Sequence, residues 1–308
     1  MAKLAIDGGV PVRDDFLVFG SPCLGHEEIE EVVATLRSGW IGTGPKAARF
    51  ENAFADYVGA SHAVAVNSCT AALHLSLLVS DVGPGDEVIT SPLTFAATAN
   101  SIVHCGARPV FVDVEPDTWC IDPQQIPAAL TPRTKALIPV HFGGLPADLQ
   151  QLGSVSGEIP IIEDAAHAIG SVHQGRRIGS HGNLTCFSFY ANKNLTTAEG
   201  GMITFSDPDL LNRLRTLRLH GLDRDAWQRY QKQGKLHNRL VRPGYKYNMT
   251  DIQASLGIHQ LARVEDFLRR RETIAKTYDA AFSDLSGLSR QNGQSIQRAN
   301  VTAFICMR

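Results

Sequence analysis

Three short segments of the 308-residue chain carry residue types able to do chemistry, each placed directly after a run that reads as a buried strand. In open parallel sheets ligands gather at the carboxyl ends of strands, so these positions come first. The run Ile159–Ile162 ends in Glu163-Asp164-Ala165-Ala166-His167, bringing out a carboxylate and an imidazole three residues apart. Such a carboxylate can pair with a protonated heterocyclic nitrogen in a sheltered site. It can equally cap the following helix, with His167 a satisfied core histidine. The run Thr185–Phe189 leads into Tyr190-Ala191-Asn192-Lys193-Asn194 and then Glu199-Gly200-Gly201. A lone loop lysine is ordinarily a solvated charge. Here an aromatic strand and a Gly-Gly turn that permits close backbone approach argue for an inward Lys193, whose lowered pKa would suit Schiff-base chemistry. The run Ala63–Val66 is followed by Asn67-Ser68-Cys69-Thr70 and the helical Ala71-Ala72-Leu73-His74-Leu75. Small polar residues opening a helix expose free N–H groups, which makes an anion site or simply an N-cap.

Together the three are more specific than any one. A phosphate-binding helix start, a strand-end Asp164 and Lys193, 29 residues further on, are the parts needed to hold pyridoxal phosphate by its phosphate, its pyridinium nitrogen and its aldehyde carbon. No glycine-rich dinucleotide or P-loop signature competes.

The elements that must position these residues read as α/β. The β-branched runs Ala63–Val66, Glu87–Thr90, Pro109–Val114, Ala136–Val140, Ile159–Ile162, Thr185–Phe189 and Gly201–Phe205 are continuously apolar, as strands covered on both faces are. They predict a mostly parallel seven-stranded sheet with helices on both faces, within one compact unit from about Arg13 to His220. Before it, residues 27–38 predict a helix with Ile29, Val32, Val33 and Leu36 inward and Gly39 as its stop. After it, Thr250 and Gln253 form a capping-box signature that opens a helix carrying Ile252, Leu256 and Leu261 inward. The domains are read as 1–250 and 251–308, the second beginning with that linking helix.

Composition excludes other classes. With 44% apolar and 19% charged residues the chain is an ordinary globular sequence, and its net charge of -2 gives no footprint for nucleic acid or anionic membrane. No apolar run approaches the roughly 20 residues of a membrane span, and no secretory leader is apparent, so the cytoplasm is the expected compartment. The six cysteines are scattered and read as reduced, mostly buried thiols. The eleven histidines form no metal-spaced pair, so no metal is expected. Arg269-Arg270-Arg271 reads as a solvated helix end.

Ordered segments along nearly the whole chain resemble the DegT/StrS sugar aminotransferases. They are Ser38–Pro45, Asn67–His74, Gly85–Phe95, Pro139–Gly144, Ile162–Ala168, Phe187–Asn194 and Pro243–Asp251. The likeness is greatest to the branch that aminates keto nucleotide sugars for surface polysaccharide or lipid A. The resemblance implies a fold-type I, aspartate-aminotransferase-like homodimer with active sites at the subunit interface, taking a UDP- or dTDP-4-keto-hexose and L-glutamate. It implies that Lys193 binds pyridoxal phosphate and shuttles the proton, that Asp164 pairs with the pyridine nitrogen, that Phe95 stacks on the ring, and that His167 lies by its phenolic oxygen. Ser68, the Cys69 and Thr70 amides and the Ser188 hydroxyl would hold the phosphate, and Asn248 would reach the partner's phosphate. Related sugar dehydratases carry histidine in place of Lys193, so dehydration on the same cofactor is disfavoured.

Two departures stand out. Ala198 occupies a position where many members have glycine. The segment Gln297–Arg308 lacks the His-containing strand through which members continue, so a shortened small domain is expected, and with it the alternative of a non-catalytic or regulatory relative that binds the cofactor without turnover.

Overall fold

The computed structural model describes residues 3–18, 20–223, 239–284, 288–290 and 305–307. Its strands are β1 (His62–Val66), β2 (Glu87–Thr90), β3 (Arg108–Phe111), β4 (Thr134–Ile138), β5 (Ile162–Asp164), β6 (Val172–His173), β7 (Arg176–Arg177), β8 (Leu184–Ser188) and β9 (Gly201–Phe205). A four-stranded sheet in the order β1-β9-β8-β5 meets a three-stranded sheet in the order β4-β2-β3. The two are joined by isolated parallel bridges, Leu137 to Ile161 and Val140 to Asp164. Each expected strand is present. The third and fifth are displaced, because the Pro109–Val114 run leaves its ladder at Phe111 and the 159–162 run, bridged to Leu137 at Ile161, joins β8 only from Ile162.

β9 departs from the parallel rule, running antiparallel to both β1 and β8. It therefore starts where its neighbours end, and Gly201 lies opposite Val66 on one side and Ser188 on the other. The carboxyl ends of β1, β5 and β8 thus share one edge with the start of β9. The short β6–β7 hairpin was not foreseen, as two-residue strands carry no periodicity.

Helices α1 (His26–Arg37) and α2 (Pro45–Val58) precede β1, α3 (Cys69–Val79), α4 (Ala96–His104), α5 (Ile126–Ala129) and α6 (Leu149–Ser156) alternate with β1 to β5, and α7 (Asp209–Arg218) follows β9. α8 (Asp251–Ala262) and α9 (Val264–Phe282) follow. Two apolar cores form. One contains Phe50, Phe54, Phe187 and Phe189; the other packs α3 and α7 against Val64, Val88, Ile138 and Ile203. The Phe rings meet edge-on, with Phe54 at 5.0 Å from Phe187 and 5.4 Å from Phe189.

α8 has the expected capping box at Thr250 and Gln253. It packs on α1 and α2, where Gly257 is required because a Cβ would stand 2.6 Å from the Phe50 ring. Asp251 caps α2 from outside, its Oδ1 accepting the Gly44 and Ala47 N–H bonds at 2.8 and 3.0 Å. Of the three apolar residues expected inward, Leu261 is buried and Ile252 and Leu256 are half-buried. Small residues, Ala254, Ser255 and Gly257, supply the rest of the face because the helices approach closely.

α1 corrects the expectation more sharply. Gly39 stops it at φ +74°, but of the four residues expected inward Val32 and Val33 are half-buried and Ile29 and Leu36 are 55% and 54% exposed in the isolated chain. Its buried face is polar: Glu28 accepts the Gly25 N–H and the Gln260 amide, both at 2.8 Å, and Thr35 meets Ser255 at 2.6 Å. Arg269–Arg271 sits within α9 instead of at a helix end, and burial pushes the Arg271 pKa down. Among the cysteines Cys23 is exposed and Cys69, Cys105, Cys120 and Cys186 are buried free thiols; the Cys306 side chain lies outside the described residues. Of Gln297–Arg308 only 305–307 is described, as a strand antiparallel to 288–290. Among the described residues no helix is long and apolar enough to cross a membrane.

Candidate active site

Each candidate residue follows from where its strand ends. Asp164 is the last residue of β5, with its N–H on the Pro139 carbonyl and its carbonyl accepting the His141 N–H. This backbone pairing clamps it to the strand beside it. Its carboxylate is buried, and accepts from the Thr98 hydroxyl at 2.8 Å and from the Ala166 N–H at 3.2 Å. Burial is the largest influence on its pKa and pushes it up, against those two donors and the charges of Lys193 and His141. The Ala166 bond keeps a trace of the capping reading, but 165–168 form a turn and no helix follows.

Lys193 lies in the connection between β8 and β9. That connection folds onto itself through Lys193 N–H to Tyr190 O at 3.0 Å and Thr197 N–H to Phe189 O at 2.9 Å, with Leu195 fully buried as its anchor. Lys193 is half-buried, and loss of solvent pushes its ammonium pKa down while the nearby Cys69 and Asp164 oppose the shift. An amine with a lowered pKa beside a buried carboxylate is a competent nucleophile. The inward reading of Lys193 is therefore the one the fold supports.

The Gly-Gly turn does what the sequence suggested. A Cβ on Gly201 would lie 2.6 Å from the Ser68 carbonyl carbon and 2.7 Å from the Cys69 nitrogen, so only glycine lets β9 start against the opening of α3. There Ser68 is the N-cap, its Oγ accepting the Ala71 N–H at 3.1 Å. The N-cap reading of this segment is the one shown, and the Cys69 and Thr70 N–H groups lie at the positive end of α3, where the anion reading would place a phosphate. The Cys69 thiol is buried, points to the Cys186 carbonyl at 3.6 Å and has its pKa pushed far up, so only its backbone is available to an anion. Ser188 ends β8 across Gly201 from Val66 and is half-buried.

His167 is half-buried near Lys193, and desolvation with that charge lowers its pKa to about 4, leaving a neutral imidazole at neutral pH. Phe95 is the N-cap residue of α4, just past the carboxyl end of β2, and is 80% exposed. Asn248 pairs with Val66 in an antiparallel bridge, donates to the Thr43 hydroxyl at 2.5 Å and leaves its Oδ1 buried without a partner.

Sequence reasoning missed three features. Thr98 reaches Asp164 across 66 residues of sequence. Behind Asp164, His141 and Glu163 are fully buried and 2.8 Å apart; burial pushes Glu163 up most strongly, yet the His141 and Asn183 bonds and the His141 charge together hold it below its usual range. Asn194, next to Lys193, is buried with its amide nitrogen unpartnered. The first two could not be found by spacing, since nothing periodic links their positions.

These residues fit pyridoxal phosphate. The glycine cradle at Gly201, the helix start at Cys69 and Thr70, the buried carboxylate and the half-buried amine are the donor set it needs, and the Asn194 and Asn248 atoms without a partner among the described residues leave hydrogen-bonding capacity for it.

The comparisons agree. The family model described as DegT/DnrJ/EryC1/StrS aminotransferase matches residues 22–308. The spore coat polysaccharide biosynthesis protein SpsC of Bacillus subtilis is 53% identical over 281 residues, 91% of this chain and 72% of that protein. The putative sugar aminotransferase Spr1654 of Streptococcus pneumoniae, solved in its PMP form, superposes with a TM-score of 0.86 at 38% identity over 93% of this chain and 77% of its own. S. venezuelae DesV, solved with a ketimine intermediate, gives a TM-score of 0.84 at 34% identity over 91% of this chain and 74% of its own. With a strand-end Asp164, an inward Lys193 and a family match over nearly all of its length, the chain belongs to the DegT/DnrJ/EryC1/StrS aminotransferase family and is a fold-type I, pyridoxal phosphate-dependent transaminase.

Proposed function

We propose that this transaminase takes an amino group from L-glutamate and delivers it to the keto carbon of a nucleotide-linked hexose, a UDP- or dTDP-4-keto sugar, in the making of amino sugars for a surface polysaccharide or lipid A, and that it does so in the cytoplasm. The observation that carries the reading is Lys193 held beside Asp164 at the shared carboxyl edge of β5 and β8. The likeness to SpsC, a polysaccharide biosynthesis protein, supports a sugar as acceptor.

Bound pyridoxal phosphate supplies an electron sink for the carbon whose nitrogen is exchanged. The chain does the rest. The Cys69 and Thr70 N–H groups with Ser188 would bind the phosphate, and Asp164 would pair with the pyridine nitrogen and keep it protonated. Lys193, its ammonium pKa lowered by burial, would hold the cofactor and is the group that could take up or release a proton at Nζ. His167, with its pKa lowered to about 4, would hydrogen-bond the phenolic oxygen without adding charge. Phe95 would stack on the ring.

The exposed Phe95, and the apolar Ile29 and Leu36 that α1 turns outward, support a homodimer whose interface completes each site, with Asn248 directed to the partner's phosphate. The test is incubation with nitrogen-15 L-glutamate, pyridoxal phosphate and a 4-keto nucleotide hexose. Labelled amino sugar is expected from the wild type and none from Lys193→Ala. A wild type that binds cofactor but transfers no label to any keto nucleotide sugar contradicts the proposal and leaves the non-catalytic reading.

A further inference from the structure

Asp164 is placed by its strand, and its Oδ1 accepts the nearby Ala166 N–H at 3.2 Å, so what remains to be fixed is the other oxygen, Oδ2. Among the described residues one side chain is hydrogen-bonded to it, Thr98, and Thr98 is fully buried on α4. The Thr98 hydroxyl is in turn 2.7 Å from that of Thr94, just before α4 begins. Between these two threonines lies Phe95, whose carbonyl accepts the Thr98 N–H at 3.1 Å. One turn of chain therefore joins the carboxylate to the aromatic residue at the mouth of the site.

The order of protons along this chain follows from the charge on Asp164. An ionised carboxylate only accepts, so Thr98 must donate to it; the Thr98 oxygen is then left to accept, and Thr94 must donate to Thr98. A protonated Asp164 imposes no such order, since its own O–H could donate to Thr98. The two hydroxyls thus favour the ionised carboxylate in one orientation, against the burial that pushes it toward neutrality. The charged and titratable groups around it are Lys193 from the β8–β9 connection, His141 beyond the end of β4, Cys69 at the start of α3 and Cys186 on β8. None of their side chains is hydrogen-bonded to the carboxylate among the described residues, so they set its field but do not aim it.

We propose that Thr98, oriented by Thr94, is the positioning residue that holds the Asp164 carboxylate ionised and aimed for the pyridine nitrogen, and that the same turn fixes Phe95 relative to it. This rests on the reading of Asp164 as the nitrogen's partner.

The experiment uses cofactor-loaded protein and the variants Thr98→Val, Thr98→Ser, Thr94→Val and Asp164→Asn. It reads the pH midpoint of the bound cofactor's visible absorbance and the cofactor dissociation constant from fluorescence. Thr98→Val, nearly the same shape without a donor, is expected to move the midpoint in the same direction as Asp164→Asn and to weaken binding about tenfold, the scale of one lost charge-assisted bond. Thr98→Ser is expected to restore both readings, and Thr94→Val to fall between. Wild-type midpoint and affinity in Thr98→Val, with Asp164→Asn shifted, would overturn the proposal and leave Asp164 in its role. No effect of Asp164→Asn would remove the reading beneath it. Should Thr98→Val not fold, Thr94→Val decides, because its hydroxyl is only half-buried: an unshifted midpoint there overturns the ordered chain.

Discussion

Lys193 and Asp164 became readable because chemistry at a strand end needs no partner to be recognised, only an apolar run that stops at a polar residue. Thr98 lacked that signature: its significance exists only once α4 lies against β5. Ala198 falls between the two cases. It stands where many members of the family have glycine, and its backbone shows why the position matters, since φ is +68° in the left-handed region. An alanine there carries strain that glycine does not. Ala198→Gly is therefore expected to stabilise the protein by about 0.5–1 kcal/mol, less whatever the freer unfolded chain takes back. Urea unfolding of the two proteins checks this; an unchanged or lower midpoint would mean that the freer unfolded chain of the glycine variant cancels the relief of strain, since the N–H bond from residue 198 to Thr196 is common to both.

The elements were legible in type and blurred at their ends. All seven sheet strands and both flanking helices could be read, because buried strands are continuously apolar and caps have fixed chemistry. The antiparallel β9 could not, since strand direction depends on how the chain returns. Nor could the treatment of the sheet's edge. β1 is the last strand, and its Ala65 N–H and carbonyl point outward, where Glu51 accepts the first at 2.9 Å and Arg218 donates to the second at 2.8 Å. Both side chains are buried and paired with each other, so α2 and α7 together supply what a further strand would. Removing one partner leaves an uncompensated charge and an unsatisfied edge. Glu51→Ala is expected to cost about 3–5 kcal/mol, read from denaturant unfolding. A loss under about 1 kcal/mol, the range of an exposed pair, would contradict this account of the edge.

At the scale of the molecule, α1, with Ile29 and Leu36 outward and Val32 and Val33 half-buried, shows the limit of reading amphipathicity. The 3.6-residue pattern was real, but pattern alone does not say which side is the core, and here α8 takes the polar side with Glu28 and Thr35. Exposed Ile29 and Leu36 offer the proposed homodimer an apolar contact. The double variant Ile29→Asp, Leu36→Asp is expected to sediment as a monomer and to bind pyridoxal phosphate more weakly, while the wild type sediments as a dimer. A wild-type monomer with full cofactor affinity would contradict a shared site. Whatever the acceptor, the proposed transamination rests on Lys193 and Asp164 at the carboxyl edge of the sheet. Its most direct test is the absorbance spectrum of the protein with pyridoxal phosphate, before and after L-glutamate. The account predicts a visible band in the wild type that disappears as the cofactor accepts the amino group, and no such band in Lys193→Ala. A wild-type spectrum that glutamate leaves unchanged, or a band that survives the loss of Lys193, would contradict it.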